Sequence, residues 1–306
     1  MKQTFYSNGK LLITGEYLVL DGAKAFALPT KFGQSLQIEP GSNNEIQWIS
    51  YDSDAKIWFE ATIPFSDIKK PTVATIETVQ STLITILHQA YTLNPAFLNN
   101  SKGFKVATKL SFPRKWGLGT SSTLINNIAQ WTQVNAFTLL NTSFGGSGYD
   151  IACAQNNTPI LYQLENNQPT VTVIPFAPDF TKNIYFVYLN KKQSSKTAIN
   201  TYQTNKTTEL LKKVAAIDQI TAEFLHATTL EQFATAIEKH EATMSYTLET
   251  DTVKESLFSD FDGAIKSLGA WGGDFVMAVS QENPTAYFKS KGYEIILPYD
   301  EMILRN

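Results

Sequence analysis

Residues 112–130, FPRKWGLGTSSTLINNIAQ, place two glycines and three hydroxyls directly ahead of a run with helical spacing. Glycine at 117 and 119 permits backbone torsions closed to other residues and lets N–H groups come close to a ligand. A helix start with unsatisfied N–H groups attracts anions. Thr120, Ser121 and Ser122 are helix-capping residues, and their hydroxyls also suit a phosphate or Mg²⁺. Arg114 and Lys115 add positive charge nearby. No lysine follows the second glycine, so the loop is not of the GxxxxGK[ST] kind. Taken alone, it reads either as a phosphate cradle or as a strand-to-helix turn with a hydroxyl cap.

Three further segments carry similar chemistry. In GGSGYDIACA, residues 145–154, Asp150 falls at or near a helix start. There a carboxylate serves as a cap, or orients and deprotonates a hydroxyl in a glycine-lined cleft. In SNGKLLITGEYLVLDGAKAFALP, residues 7–29, Lys10 precedes an apolar run that Glu16 interrupts. A charge in such a run is paired, functional, or exposed on an edge strand. In KSLGAWGGDFVMA, residues 266–278, Gly269, Gly272 and Gly273 mark a close backbone approach or a tight turn before a strand. Lys191, Lys192 and Lys196 follow a strand and read as a solvated loop, or as contacts to an anionic substrate.

The elements that position these segments follow from periodicity. Ile57, Phe59, Ala61 and Ile63 alternate as in a strand, as do Phe104, Val106, Thr108 and Leu110. Ile76, Val79, Leu83, Leu87 and Ala90 recur at helical spacing, and Leu124, Ile128 and Trp131 do so after the glycine loop. In the second half, 183–189 reads as a buried strand. Two helices follow, through Leu210–Phe224 and Leu230–Met244, the second with a capping box at TTLE, 228–231. DFVMAVS, the stretch around PTAYFKSKG, and YEIILP read as strand, helix, strand. The Asn- and Pro-rich residues 156–180 read as a loop joining two α+β domains, 1–175 and 176–306.

Composition narrows the function. The formal net charge of −3 over 306 residues gives no electrostatic case for nucleic acid or an anionic membrane. No apolar run is long enough to span a bilayer, and MKQTFYSNGK lacks the apolar core of a secretion signal. One cysteine, Cys153, rules out an internal disulfide and fits a reducing, cytoplasmic setting. His88, His226 and His240 have no metal-ligand spacing. The expected partner is a small molecule, with the chain acting as a monomer or homodimer.

Together and in this order, the four segments resemble the GHMP kinases, the superfamily of galactokinase, homoserine kinase, mevalonate kinase and phosphomevalonate kinase. The first motif is similar to Gly9-Lys10 through Gly15-Glu16-Tyr17 and on to Pro29. The second, PxxxGLGSS, is matched by Pro113 through Gly117, Leu118, Gly119, Thr120 and Ser121. The aspartate segment SGxD is matched by Ser147, Gly148, Tyr149 and Asp150. GAGGGG is approximated by Gly269 through Asp274. The resemblance implies a two-domain α+β fold, with an N-terminal ribosomal-protein-S5-like α/β domain and a C-terminal ferredoxin-like α/β sandwich.

It also implies ATP and Mg²⁺ as cofactors. ATP phosphates would lie on Gly117, Leu118, Gly119, Thr120, Ser121 and Ser122, with Ser121 on the metal. Asp150 would be the catalytic aspartate and Lys10 the lysine beside it. Glu16, Tyr17, Ser147, Gly148, Gly272 and Gly273 would serve the acceptor. Tyr17 and the terminal Asp274 resemble the phosphomevalonate kinase branch, so the expected acceptor is phosphomevalonate or mevalonate, in isoprenoid precursor synthesis. A sugar or homoserine-like alcohol, the decarboxylase of the same superfamily, and a non-catalytic nucleotide-binding pseudokinase are the alternatives. Two departures stand out. Residues 123–149 contain neither Asp nor Glu, where several members carry a second Mg²⁺ ligand, and Trp271 replaces a family glycine.

Overall fold

A computed structural model describes residues 2–71, 76–191, 202–203, 209–269 and 271–305. Lys192 and Lys196 lie outside the described residues. The chain forms two compact units that interleave in sequence. The first holds residues 1–9, 32–114 and 118–155, and the second holds 10–31, 115–117 and 156–306.

The first unit is built on strands β1 (Gln3–Leu12), β2 (Ala25–Pro40), β3 (Glu45–Tyr51), β4 (Ile57–Pro64) and β5 (Phe104–Leu110), of which β1 and β2 also contribute residues to the second unit. The order is β4-β3-β5-β2, with β1 pairing β2. β3 runs antiparallel to β4 and parallel to β5, and β5 runs antiparallel to β2 over Gln34–Pro40. Helices α1 (Phe65–Lys69), α2 (Val79–Leu93), α3 (Ala96–Asn99), α4 (Thr120–Thr132), α5 (Ala136–Ser143) and α6 (Tyr149–Gln155) complete it. One core joins Leu36, Ile46 and Trp48 of the strands to Leu87 of α2, Ile125 of α4 and Ile151 of α6. The helical spacing of 79–90 is realised in α2, whereas Ile76 lies ahead of it and is 74% exposed.

The second unit holds β6 (Ile160–Glu165), β7 (Gln168–Val173), β8 (Ile184–Tyr188), β9 (Ala264–Leu268), β10 (Phe275–Val279) and β11 (Ile296–Pro298). Its four-stranded antiparallel sheet has the order β11-β8-β10-β9, and Phe275 pairs with both Tyr188 and Leu268. Every residue of β8, β9 and β10 is buried, which explains why β8 and β10 read as apolar runs, whereas β9 also buries Lys266 and Ser267. Helices Leu210–His226 and Leu230–Leu248 meet through Phe224 and Phe233, whose rings lie edge to face at 5.0 Å. The α+β class expected from the sequence is the one observed.

Two expectations need correction. Residues 156–180 are not mainly a loop. They contain the antiparallel pair β6–β7, and β6 also pairs with Ala25–Ala27 of β2. The turn between them is Asn166-Asn167, both with positive φ, 52° and 61°. This is the backbone a two-residue hairpin turn demands and asparagine tolerates. The capping box of helix Leu230–Leu248 sits one residue later than TTLE. Thr229 accepts from the Gln232 N–H, and the Gln232 side chain reaches back to the 228 and 229 amides.

Candidate active site

In the first unit the hydroxyl-rich loop ends in α4, and its N-cap is Gly119 with φ 92° and no side-chain cap. The hydroxyl-cap alternative therefore does not hold. Ser122 is buried and donates to the Gly119 carbonyl at 2.9 Å, whereas Ser121 is exposed in the first turn. Asp150 lies in the first turn of α6, half-buried, and accepts from the Ile151 N–H at 3.1 Å. Gly145, Gly146 and Gly148 before it all have positive φ, from 81° to 111°. Side chains added at 145 or 146 would meet nothing within 4 Å, so these glycines serve the turn's shape and not a tight contact. Ser147 is half-buried and Gly148 buried.

A polar seam, buried at Ser7, Gln34, Asn126 and Asn127, links the middle of α4 to the exposed end of α6. Asn126 of α4 donates to Ser7 Oγ at 2.9 Å, and Ser7 Oγ donates to Asn127 Oδ1 at 2.8 Å. Asn127 donates to the Gln34 carbonyl, and Thr123 to Gln34 Oε1 at 2.7 Å. Gln155, at the end of the Asp150 helix, donates to Asn126 Oδ1 at 2.9 Å. Buried amides are costly unless paired, and here each bond fixes α4 or α6 in one register.

In the second unit Lys10 is buried and donates to the Gly117 carbonyl at 3.2 Å. Both line a small pocket with Trp116, Gly269, Asp274 and Phe275. The third glycine segment is the hairpin loop between β9 and β10. Within it Gly272 is half-buried with φ 75°, and Gly273 is buried. Gly272 N–H donates to Ser267 Oγ at 3.2 Å, and Trp271 N–H donates to the Tyr17 hydroxyl at 2.9 Å. Trp271 Nε1 donates to the Asp251 carbonyl.

Tyr17 has φ 60°, an uncommon conformation outside glycine, and stacks on Tyr202 at 5.6 Å. Burial, partly offset by the Trp271 amide and aided by Glu16, raises the Tyr17 pKa. Glu16 itself is 3% exposed, so the exposed-edge alternative is excluded. Its carboxylate takes the Lys266 ammonium at 2.7 Å on Oε1 and His240 Nε2 at 3.0 Å on Oε2. Glu241 Oε1 lies 3.5 Å from Lys266 Nζ, and Glu241 Oε2 accepts from the Ser267 N–H. Burial pushes the Glu16 carboxyl up, but Lys266 and His240 together bring it down to about 2. Lys266, His240 and Glu241 are the residues sequence reasoning missed. The available signal was Lys266 inside the apolar run AIKSL, the same anomaly that drew attention to Glu16.

The structure thus places Gly119 to Ser122, Ser147, Gly148 and Asp150 in the first unit, and Lys10, Glu16, Tyr17, Gly117, Gly272 and Gly273 in the second. Among the described residues, no group of three or more His, Cys, Asp or Glu is arranged to hold a metal ion. A Mg²⁺ carried on nucleotide phosphates needs only one or two protein oxygens beside its waters. The exposed Ser121 hydroxyl fits that demand. No helix among the described residues is long and apolar enough to cross a membrane.

No protein-family model matches the chain, and no curated protein sequence does. Solved structures do match over its whole length. The Methanococcus jannaschii mevalonate kinase superposes with a TM-score of 0.71 at 17% identity, covering 100% of this chain and 99% of that one. The Streptococcus pneumoniae phosphomevalonate kinase, solved with phosphomevalonate and AMPPNP, gives 0.69 at 15% identity, covering 99% and 98%. A D-glycero-D-manno-heptose 1-phosphate kinase from Bacteroides thetaiotaomicron gives 0.65 at 14%, covering 99% and 96%. The chain has the two-domain fold of the GHMP kinases.

Proposed function

We propose that the chain is an ATP-dependent kinase that transfers a phosphoryl group to a small acceptor. The observation that carries this is the Gly117–Ser122 segment. It is a left-handed glycine turn opening a helix with no side-chain cap and an exposed Ser121, set in a chain that matches small-molecule kinases end to end. When bound, Mg·ATP supplies the phosphoryl group and the cation that offsets its charge. Backbone N–H groups at the start of α4 and the helix dipole hold the phosphates, and Ser121 offers an oxygen to the metal. Asp150 orients or deprotonates the accepting hydroxyl, with Lys10 as the second catalytic residue of this reading. Tyr17, Ser147, Gly148, Gly272 and Gly273 serve the acceptor side, with Glu16 supporting the Tyr17 turn from within the core. The nucleotide side falls in residues 1–175, and 176–306 form the second domain of this reading.

Within that class we favour phosphomevalonate or mevalonate, in a cytoplasmic chain. Tyr17 and Asp274 support this branch, as does the lack of an acidic residue in 123–149, because a phosphorylated acceptor brings its own metal-binding oxygens. The likeness to a heptose-phosphate kinase keeps sugar acceptors in the comparison. The test is Mg·ATP-dependent ADP release with mevalonate, phosphomevalonate, homoserine, galactose and no acceptor. Release with a sugar alone would move the assignment to that acceptor. ATP binding without release for any acceptor favours the pseudokinase.

A further inference from the structure

Gly117 and Gly269 belong to segments far apart in sequence, yet both lie against one side chain, which crowds out a Cβ at 117. A Cβ built on Gly117 would run into the Asp274 carboxylate, and one built on Gly269 would lie 3.4 Å from Asp274 Oδ2. Gly117 and Gly269 have φ of 69° and 75°, and Asp274 is itself left-handed at 51°. Asp274 is held in that conformation from both sides of its peptide. Its N–H donates to the Lys191 carbonyl at 2.7 Å, and its carbonyl accepts from the Leu189 N–H at 2.8 Å. It is 6% exposed and lines the same small pocket as Lys10, whose ammonium holds the Gly117 carbonyl. The Tyr188 phenol also faces this carboxylate. Burial, and then the charge of Asp274, raises the Tyr188 pKa.

A glycine is therefore needed at 117 for a reason separate from any ligand: the space over its α-carbon is filled by a buried carboxylate. We propose that Asp274 is a positioning residue that fixes the Gly117 turn, and through it the entry to the Leu118–Ser122 segment. This rests on the kinase reading above for its functional consequence, though the packing relation stands without it. Asp274 bears on one face of the turn and Lys10 grips its carbonyl. The pair fixes the backbone of residue 117 itself.

The test uses Asp274→Ala, Asp274→Asn, Gly117→Ala and the double variant Gly117→Ala/Asp274→Ala. Two readouts are taken on the full chain: amide hydrogen exchange over residues 114–122, and ATP affinity by calorimetry without acceptor. Asp274→Ala is expected to speed exchange in that segment and weaken ATP binding, each about tenfold, while Asp274→Asn, which fills the same space, stays within about threefold of wild type. Gly117→Ala should weaken ATP binding by more than about tenfold, and adding Asp274→Ala should recover part of that loss, because the methyl then has room. Two independent destabilising changes would add, so rescue reports the Gly117–Asp274 contact itself. The proposal is overturned if Asp274→Ala leaves exchange unchanged, or if the double variant loses the product of the two single effects. If the wild-type chain binds no ATP, the kinase reading falls, and exchange alone decides the role of Asp274.

Discussion

Lys266 Nζ donates to Glu16 Oε1 at 2.7 Å, and the two side chains are 0% and 3% exposed. The bond joins the turn that carries Tyr17 to the strand that leads into the Gly269–Asp274 hairpin. Two glycine-marked segments of the second unit thus share one buried ionic anchor. Glu241 completes it by holding Lys266 on one oxygen and the Ser267 amide on the other.

Removing one member leaves the others buried without their charge balance. Lys266→Met is expected to cost about 3–5 kcal/mol of stability. The Glu16→Gln/Lys266→Met double variant should cost less than the sum of the two single changes. Urea unfolding of the four proteins measures both. Additive losses would mean that the pair is not coupled.

The same cluster sets an acid limit. Glu16 titrates at about 2 in the folded chain against its ordinary 4.5. A depressed carboxyl stabilises the fold fully above its unfolded value and loses that contribution as pH falls through the folded one. About 3 kcal/mol should therefore disappear between roughly pH 4.5 and pH 2. Stability measured across this range should fall more steeply for wild type than for Glu16→Gln. Parallel curves would contradict the shift.

In the first unit the Ser7–Asn126–Gln155 seam adds a polar link between α4 and α6 to their shared apolar core. Asn126→Ala removes a buried donor to Ser7, while the exposed Gln155 amide turns to water, and is expected to cost about 2 kcal/mol. It should also reduce turnover, because the Asp150 helix loses one of its ties to α4. Unchanged stability in urea would show that water replaces the amide without loss.

Ser121 is exposed, so Ser121→Ala should change stability by less than about 0.5 kcal/mol. If the hydroxyl binds the metal, the variant needs about tenfold more Mg²⁺ for half-maximal activity, while ADP affinity without Mg²⁺ stays the same. An unaltered Mg²⁺ dependence removes Ser121 from the metal's surroundings.

Much of this arrangement was legible in the residues. The strand before Pro113, the helix after Gly119 and the placing of Asp150 in a first turn all follow from periodicity and glycine position. β2 was not legible. Gly33 interrupts its pattern, and that glycine is explained only by the Ser7 carbonyl and Tyr6 ring that crowd it in the fold. The β6–β7 hairpin was hidden because its many Asn and Pro residues resemble a linker, although the Asn166-Asn167 pair is itself a hairpin signal. The partners of Glu16 lie more than two hundred residues away, and no local pattern brings them together. Asp274 read as a family mark. Its relation to Gly117 is a matter of packing alone.

The central claim is that Asp150 acts on an acceptor in an ATP-dependent transfer. The measurement that tests it most directly is ADP release with the responding acceptor, comparing wild type with Asp150→Asn, alongside ATP affinity for both. Release is expected to fall at least about a thousandfold in the variant, while ATP affinity changes less than about threefold. Near-normal release by Asp150→Asn would contradict it.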